Sequence, residues 1–199
     1  MAEFVNTLDI MSDEELLVSI LNRSITEFKD DILKIIGTQA FFDCRNLTVV
    51  DLPNVIELGE RAFTYCNTLT SINIPKAKTL GVRAMSYDTL LTKINLPAVR
   101  DIFSSCFEGC TNLERVDIGT TVTIARSAFA NAHLNTLILR GTTMSTLSST
   151  SALEGTDIDA DVGYIYVPEA IIEEYRSGTN WSVWSSRFRA IEDYPNICT

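Results

Sequence analysis

LGERAFTYCNTLTSINIP, residues 58–75, repeats its own chemistry along the chain. Its AFTYC, starting at Ala62, has counterparts in AFFDC at Ala40, AMSYD at Ala84, CFEGC at Cys106 and AFANA at Ala128, each start 22 residues after the one before. Aligned at that step, Ile36, Leu58, Leu80, Ile102 and Ile124 form one column, and Phe41, Phe63, Met85, Phe107 and Phe129 form another. A third pattern, leucine-x-x-aliphatic-x-aliphatic, begins at Leu47, Leu69, Leu91, Leu113 and Leu134 and is completed by pairs such as Ile72/Ile74. Pro53, Pro75, Pro97, Gly119 and Gly141 then close the units.

Self-similarity at this period with L-x-x-L-x-L marks a leucine-rich repeat solenoid. Each unit supplies one short strand whose alternate residues point inward. No unit can bury its apolar face alone, so stacking on neighbours creates the core. The spacing of A-F-x-x-C, with inward residues at i, i+1 and i+4, predicts one to two turns of helix. The expected fold class is α/β: about six 22-residue coils with a parallel sheet, capped at both ends.

The ends fit that scheme. SDEELLVSIL opens with a capping box, Ser12 with Glu15, before apolar residues at helical spacing. Residues 1–35 therefore read as an N-terminal helix and capping half-repeat, 36–168 as the solenoid and 169–199 as a C-terminal cap. TSALEGTDI and YIYVP are read as a sixth, degenerate repeat, and GTTMSTLSSTS as an irregular continuation of the solenoid. The cap reads as a helix, a Gly-Thr-Asn turn and a Trp-rich segment. Trp181 and Trp184 are expected to close the end of the core, with a carbohydrate-stacking platform as the alternative.

Composition narrows the function. The net charge of −10 argues against a nucleic-acid partner, which needs clustered Lys and Arg. The acidity sits at the ends: 8 acids against 3 bases in residues 1–35, 9 against 8 in 36–123 and 9 against 5 in 124–199. The start MAEFVNTLDI has no secretory pattern, and no apolar run approaches the ~20 residues of a membrane helix, so neither export nor membrane insertion is expected.

The units IGTQAFFDCRNLTVVDLP and LGERAFTYCNTLTSINIP resemble the BspA-like leucine-rich repeats of bacteria, their phages and some protists. The ending YIYVPEAIIEEYRSGTNWSVWSSRFRAI resembles a C-terminal unit found in that family, and the resemblance covers about residues 21 to 192. Members with a signal peptide and wall anchor look like surface adhesins. Short members with a start like LVSILNRSITEF resemble proteins encoded among phage structural genes. The resemblance implies a non-enzymatic interaction module in a phage virion, with other virion proteins and a host-surface protein or glycan as partners. Its alternative is an adhesin-type protein at the cell surface. The oligomeric state, homo-oligomers included, is left open.

Candidate chemistry is sparse. Cys44, Cys66 and Cys110 share a column with Asp88 and Ala132 and read as packed thiols, as does Cys106 in the alanine column. Cys198 is expected to be exposed, and five cysteines without C-x-x-C make no zinc motif. His133, the only histidine, reads as a solvated turn residue. Asp157, Asp159 and Asp161 alternate as at the start of a calcium loop, but Gly163 comes one place late and Pro168 stands where the closing Glu belongs. No catalytic residue, cofactor or metal is expected. The surface nominated by the repeat is the concave strand face, with Val49, Ser71, Lys93 and Arg115 in one outward column and Asp51, Asn73, Asn95 and Asp117 beside it. Thr136 and Ile138 continue these columns.

Overall fold

The structure, a computed structural model, describes residues 25–198. The expected N-terminal helix with its Ser12–Glu15 box lies outside the described residues.

Two rows of parallel strands run the length of the solenoid. The first holds β1 (Glu27–Lys29), β3 (Val49–Asp51), β5 (Ser71–Asn73), β7 (Lys93–Leu96), β9 (Arg115–Ile118), β11 (Thr136–Leu139), β13 (Tyr164–Val167) and β14 (Phe188–Ala190). It is hydrogen-bonded in two blocks, β1-β3-β5 and β7-β9-β11-β13-β14. The second row is built from two-residue strands in the Ile36 column: β2 (Ile35–Ile36), β4 (Glu57–Leu58), β6 (Thr79–Leu80), β8 (Asp101–Ile102), β10 (Thr123–Ile124) and β12 (Thr146–Leu147). Partners step by whole repeats, as in Val50↔Ile72 and Leu58↔Leu80, so identical columns stack on themselves. Between the rows, one continuous core runs from Leu33 to Phe188. The strand row begins before residue 36 and continues past 168, because ITEFKDD contributes β1 and the Trp-rich segment contributes β14.

The A-F-x-x-C segments are not helical. Gln39, Arg61, Arg83, Ser105 and Ser127 before the alanine column, and Asp43, Tyr65, Tyr87, Gly109 and Asn131 three places after it, have left-handed backbone. Each segment is a pair of tight turns, such as Ala62 N–H to Gly59 carbonyl and Thr64 N–H to Arg61 carbonyl. The intervening N–H groups point along the stack, with Phe41 donating to Ala62 at 2.7 Å, Phe63 to Ala84 at 2.7 Å and Phe107 to Ala128 at 2.7 Å. Inward residues at i, i+1 and i+4 fit this turn pair as well as a helix, and bonding between coils satisfies the backbone without i−4 partners. The aromatic column stacks inside it, Phe41 on Phe63 at 4.9 Å and Phe107 on Phe129 at 5.3 Å, each pair nearly parallel.

Coil spacing also sets a glycine column. A methyl at Gly59 would meet the Thr38 nitrogen at 2.7 Å, and one at Gly81 would meet the Gly59 carbonyl carbon at 2.8 Å. Gly59→Ala should therefore cost about 1–3 kcal/mol by forcing the coils apart. Urea unfolding of the two proteins measures it, and equal midpoints would show that the coils give way freely.

The last rung is closed by side chains. The edge strand β12 meets the cap, where α1 (Ile172–Ser177) leads into the Gly178–Asn180 turn and a 3-10 helix (Ser182–Arg187). Tyr175 Oη accepts the Ser145 N–H at 2.8 Å, Trp181 Nε1 donates to the Ser145 carbonyl at 2.8 Å, and Asn180 Nδ2 donates to the Leu147 carbonyl at 2.7 Å. The cap thus supplies the hydrogen bonds that a further strand would have made. Tyr175→Phe should orphan the buried Ser145 N–H and cost about 1–3 kcal/mol. Tryptophan fluorescence during urea unfolding reads this directly.

Candidate partner-binding surface

The register brings the outward columns together. Val49 stands beside Ser71, and Lys93, Arg115, Thr136 and Tyr164 follow one another from strand to strand. Asp51 stands beside Asn73, and Asn95, Asp117, Ile138, Tyr166 and Arg189 follow one another in the same way. Alternation along each strand forces this placement, since Val50, Ile72, Ile94 and Val116 take the inward positions.

The face divides into two parts. Ser71, Asn73, Lys93 and Asn95 are exposed, while Val49, Asp51 and Arg115 are half-buried. Asn73 Nδ2 donates to Asp51 Oδ1 at 2.7 Å, and Lys93 has no ion-pair partner among the described residues. From β9 onward the chemistry changes. Asp117 is buried, its Oδ1 accepting from Arg140 Nε at 2.7 Å and its Oδ2 from Arg140 Nη2 and Arg115 Nη2, each at 2.9 Å. Two guanidinium groups share one carboxylate through three charge-assisted hydrogen bonds. Asp117 and Arg115 are thus committed within the molecule, whereas Ser71, Asn73, Lys93 and Asn95 keep exposed surface. Ile138 and Tyr166 are buried although they point away from the main core, because the C-terminal segment crosses them. Arg140 and that segment were not nominated by the repeat, although the apolar Ile138 in an outward column was the available signal.

The remaining candidates resolve structurally. Cys44, Cys66, Cys106 and Cys110 are buried free thiols, with Cys66 Sγ donating to the Phe41 carbonyl and Cys110 Sγ to the Met85 carbonyl, each at 3.1 Å. A hydrogen bond with the Cys44 thiol, then burial, pushes the Cys66 thiol up; burial does the same at Cys106 and Cys110. Cys66, Cys106 and Cys110 are thus thiols held protonated inside the core. The side chain of Cys198 lies outside the described residues. His133 is exposed, with Nε2 at 2.9 Å from Asp157 Oδ2. Asp159 is engaged with the Gly155 N–H and Trp184 Nε1, and among the described residues no three acidic, His or Cys side chains converge as metal ligands. Trp181 and Trp184 are buried, as core closure requires and a sugar platform forbids. No described helix is long and apolar enough to cross a membrane.

A family model for the BspA type leucine-rich repeat region matches residues 24–154 in six copies, the larger part of the chain. The chain belongs to the BspA-type leucine-rich repeat family. Among solved structures, this BspA-type protein is similar to a leucine-rich repeat protein from Bacteroides ovatus, at 24% identity and a TM-score of 0.55 over 74% of this chain. It spans 44% of that protein's length, and the likeness establishes a shared fold. No curated protein matches the sequence. As a leucine-rich repeat protein, the BspA-type chain presents a surface suited to protein interaction.

Proposed function

We propose that this chain is a non-enzymatic interaction module of a phage virion, in the tail, baseplate or head surface. It meets other virion proteins or a host-surface protein or glycan through the exposed coils of its strand face. One observation carries the interaction reading: inward columns hold one chemistry from coil to coil, whereas the outward column changes from Ser71 to Lys93, both exposed, with the exposed amides Asn73 and Asn95 beside them. The virion assignment is supported by the resemblance of LVSILNRSITEF to the start of short family members encoded among phage structural genes.

Mass spectrometry of purified particles from a lysate of the source strain tests it. The chain is expected at stoichiometric copy number, and recovery only in cell-envelope fractions would assign the adhesin role instead. Lys93→Glu should leave stability within about 0.5 kcal/mol, as an exposed substitution does. Incorporation into particles should nevertheless fall, which quantitative mass spectrometry against the wild type measures.

A further inference from the structure

The outward positions of β11 and β13 break the pattern of the face. Where earlier coils carry Asp51, Asn73 and Asn95, these carry Ile138 and Tyr166, which form an apolar cluster separate from the main core. Tyr164 and Ile191 pack against it, and the Tyr194 ring meets the Tyr166 ring edge-on at 5.5 Å. Four arginines border the cluster. Arg115 and Arg140 hold Asp117, and Arg187 and Arg189 lie over the Tyr164 ring at 4.4 and 4.3 Å.

What covers this patch is residues 191–197, IEDYPNI, which carry two carboxylates and a tyrosine. Among the described residues their holds are surface contacts: Ile191 packs on the cluster, Glu192 Oε2 accepts the Glu169 N–H at 3.0 Å, Tyr194 rests on Tyr166, and Arg115 Nη1 donates to the Ile197 carbonyl. Tyr194 and Ile197 remain 36% and 38% exposed. A short segment held by surface contacts opens at low cost, whereas the strands beneath it share the stability of the whole stack.

We infer that this half of the strand face is a peptide-binding surface, closed by the chain's own C-terminal segment and open to an external acidic peptide that carries a tyrosine. The inference rests on the interaction reading above and adds how part of the face is regulated. The occupant's chemistry is that of the segment itself: an aromatic ring for the Ile138–Tyr166 floor, a carboxylate for the Glu169 N–H, as Glu192 supplies, and a backbone carbonyl for Arg115. The segment and the external peptide compete for one site, so weakening the segment's hold must raise apparent affinity for the peptide.

The test is fluorescence anisotropy with a labelled peptide of residues 190–197, titrated with the full chain and with its Tyr194→Ala variant. Binding to the variant should be about tenfold tighter, the gain expected when the segment covers the site roughly nine-tenths of the time. Adding Arg115→Ala should remove the gain. In excess peptide, the wild-type chain should show faster amide exchange over residues 191–197. Equal binding to both chains, no binding to either, or a gain that survives Arg115→Ala would overturn the inference. A monomer–dimer equilibrium of the wild type that Tyr194→Ala abolishes would also overturn it, because the occupant would then be a second copy. Particle incorporation that depends on Lys93 judges the interaction reading separately, because Lys93 lies on the exposed part of the face.

Discussion

Phe107→Ala should cost about 3–5 kcal/mol, the loss expected when a fully buried aromatic side chain leaves a cavity. Phe107 has no exposed surface and lies flat against Phe129, so its removal empties one layer of the stack and strips a face from the next. The coils cannot close the gap, because their spacing is set by backbone hydrogen bonds, Phe107 N–H to the Ala128 carbonyl among them. Phe107→Met should keep most of the stability, since Met85 fills the same column one coil earlier, fully buried. Urea unfolding reports the loss at two places. Circular dichroism follows the strands, while Trp181 and Trp184 report the cap. The core is continuous from Leu33 to Phe188 and includes both tryptophans, so the two signals should shift together. A cap transition that stays at its wild-type midpoint would show that the solenoid and cap unfold independently.

The repeat was legible because inward residues have no freedom. Leu47, Leu69, Leu91 and Leu113 occupy equivalent places in stacked coils, so the period of the sequence is the period of the structure. The outward columns followed from the same register, and Val49, Ser71, Lys93 and Arg115 lie where alternation along the strands puts them. The turns were not legible. Left-handed backbone is signalled by Gly, Asn or Asp, and among the ten turn positions only Asp43, Gly109 and Asn131 carry that mark. Arg61, Tyr65, Arg83 and Tyr87 adopt the same conformation because bonds to the next coil impose it. Closure of the last coil was half visible. Two tryptophans three apart announced an apolar lid, but nothing in their spacing indicated that Trp181 and Tyr175 would bind both backbone groups of Ser145. Burial of Asp117 was hidden for a related reason, since it depends on Arg140 and the C-terminal segment, which lie outside the repeat pattern.

Asp88→Cys should stabilise the protein, by an amount that grows with pH. Asp88 occupies a column that holds thiols in three other coils and has no exposed surface. One carboxyl oxygen accepts the Cys66 N–H at 2.9 Å, and the other is buried without a partner. Burial pushes this carboxyl well above its ordinary value of 3.8, an effect that the Cys66 hydrogen bond only partly opposes. The folded chain therefore keeps a proton at Asp88 that the unfolded chain gives up. Its contribution to stability is fully present below the ordinary value and is lost as pH rises toward the raised one. Within that window the loss is about 1.4 kcal/mol per pH unit. A thiol at this position stays neutral across the same range. Cys66 N–H keeps a second acceptor, the Phe63 carbonyl at 3.1 Å, so the substitution does not orphan it. Asp88→Asn serves as the control for charge, because it preserves shape and cannot titrate. Urea midpoints at pH 5 and pH 7 should separate the wild type from both variants, more widely at the higher pH. Parallel pH profiles for all three proteins would mean that Asp88 titrates in the fold as it does in water, and that the third coil is open enough to hydrate it.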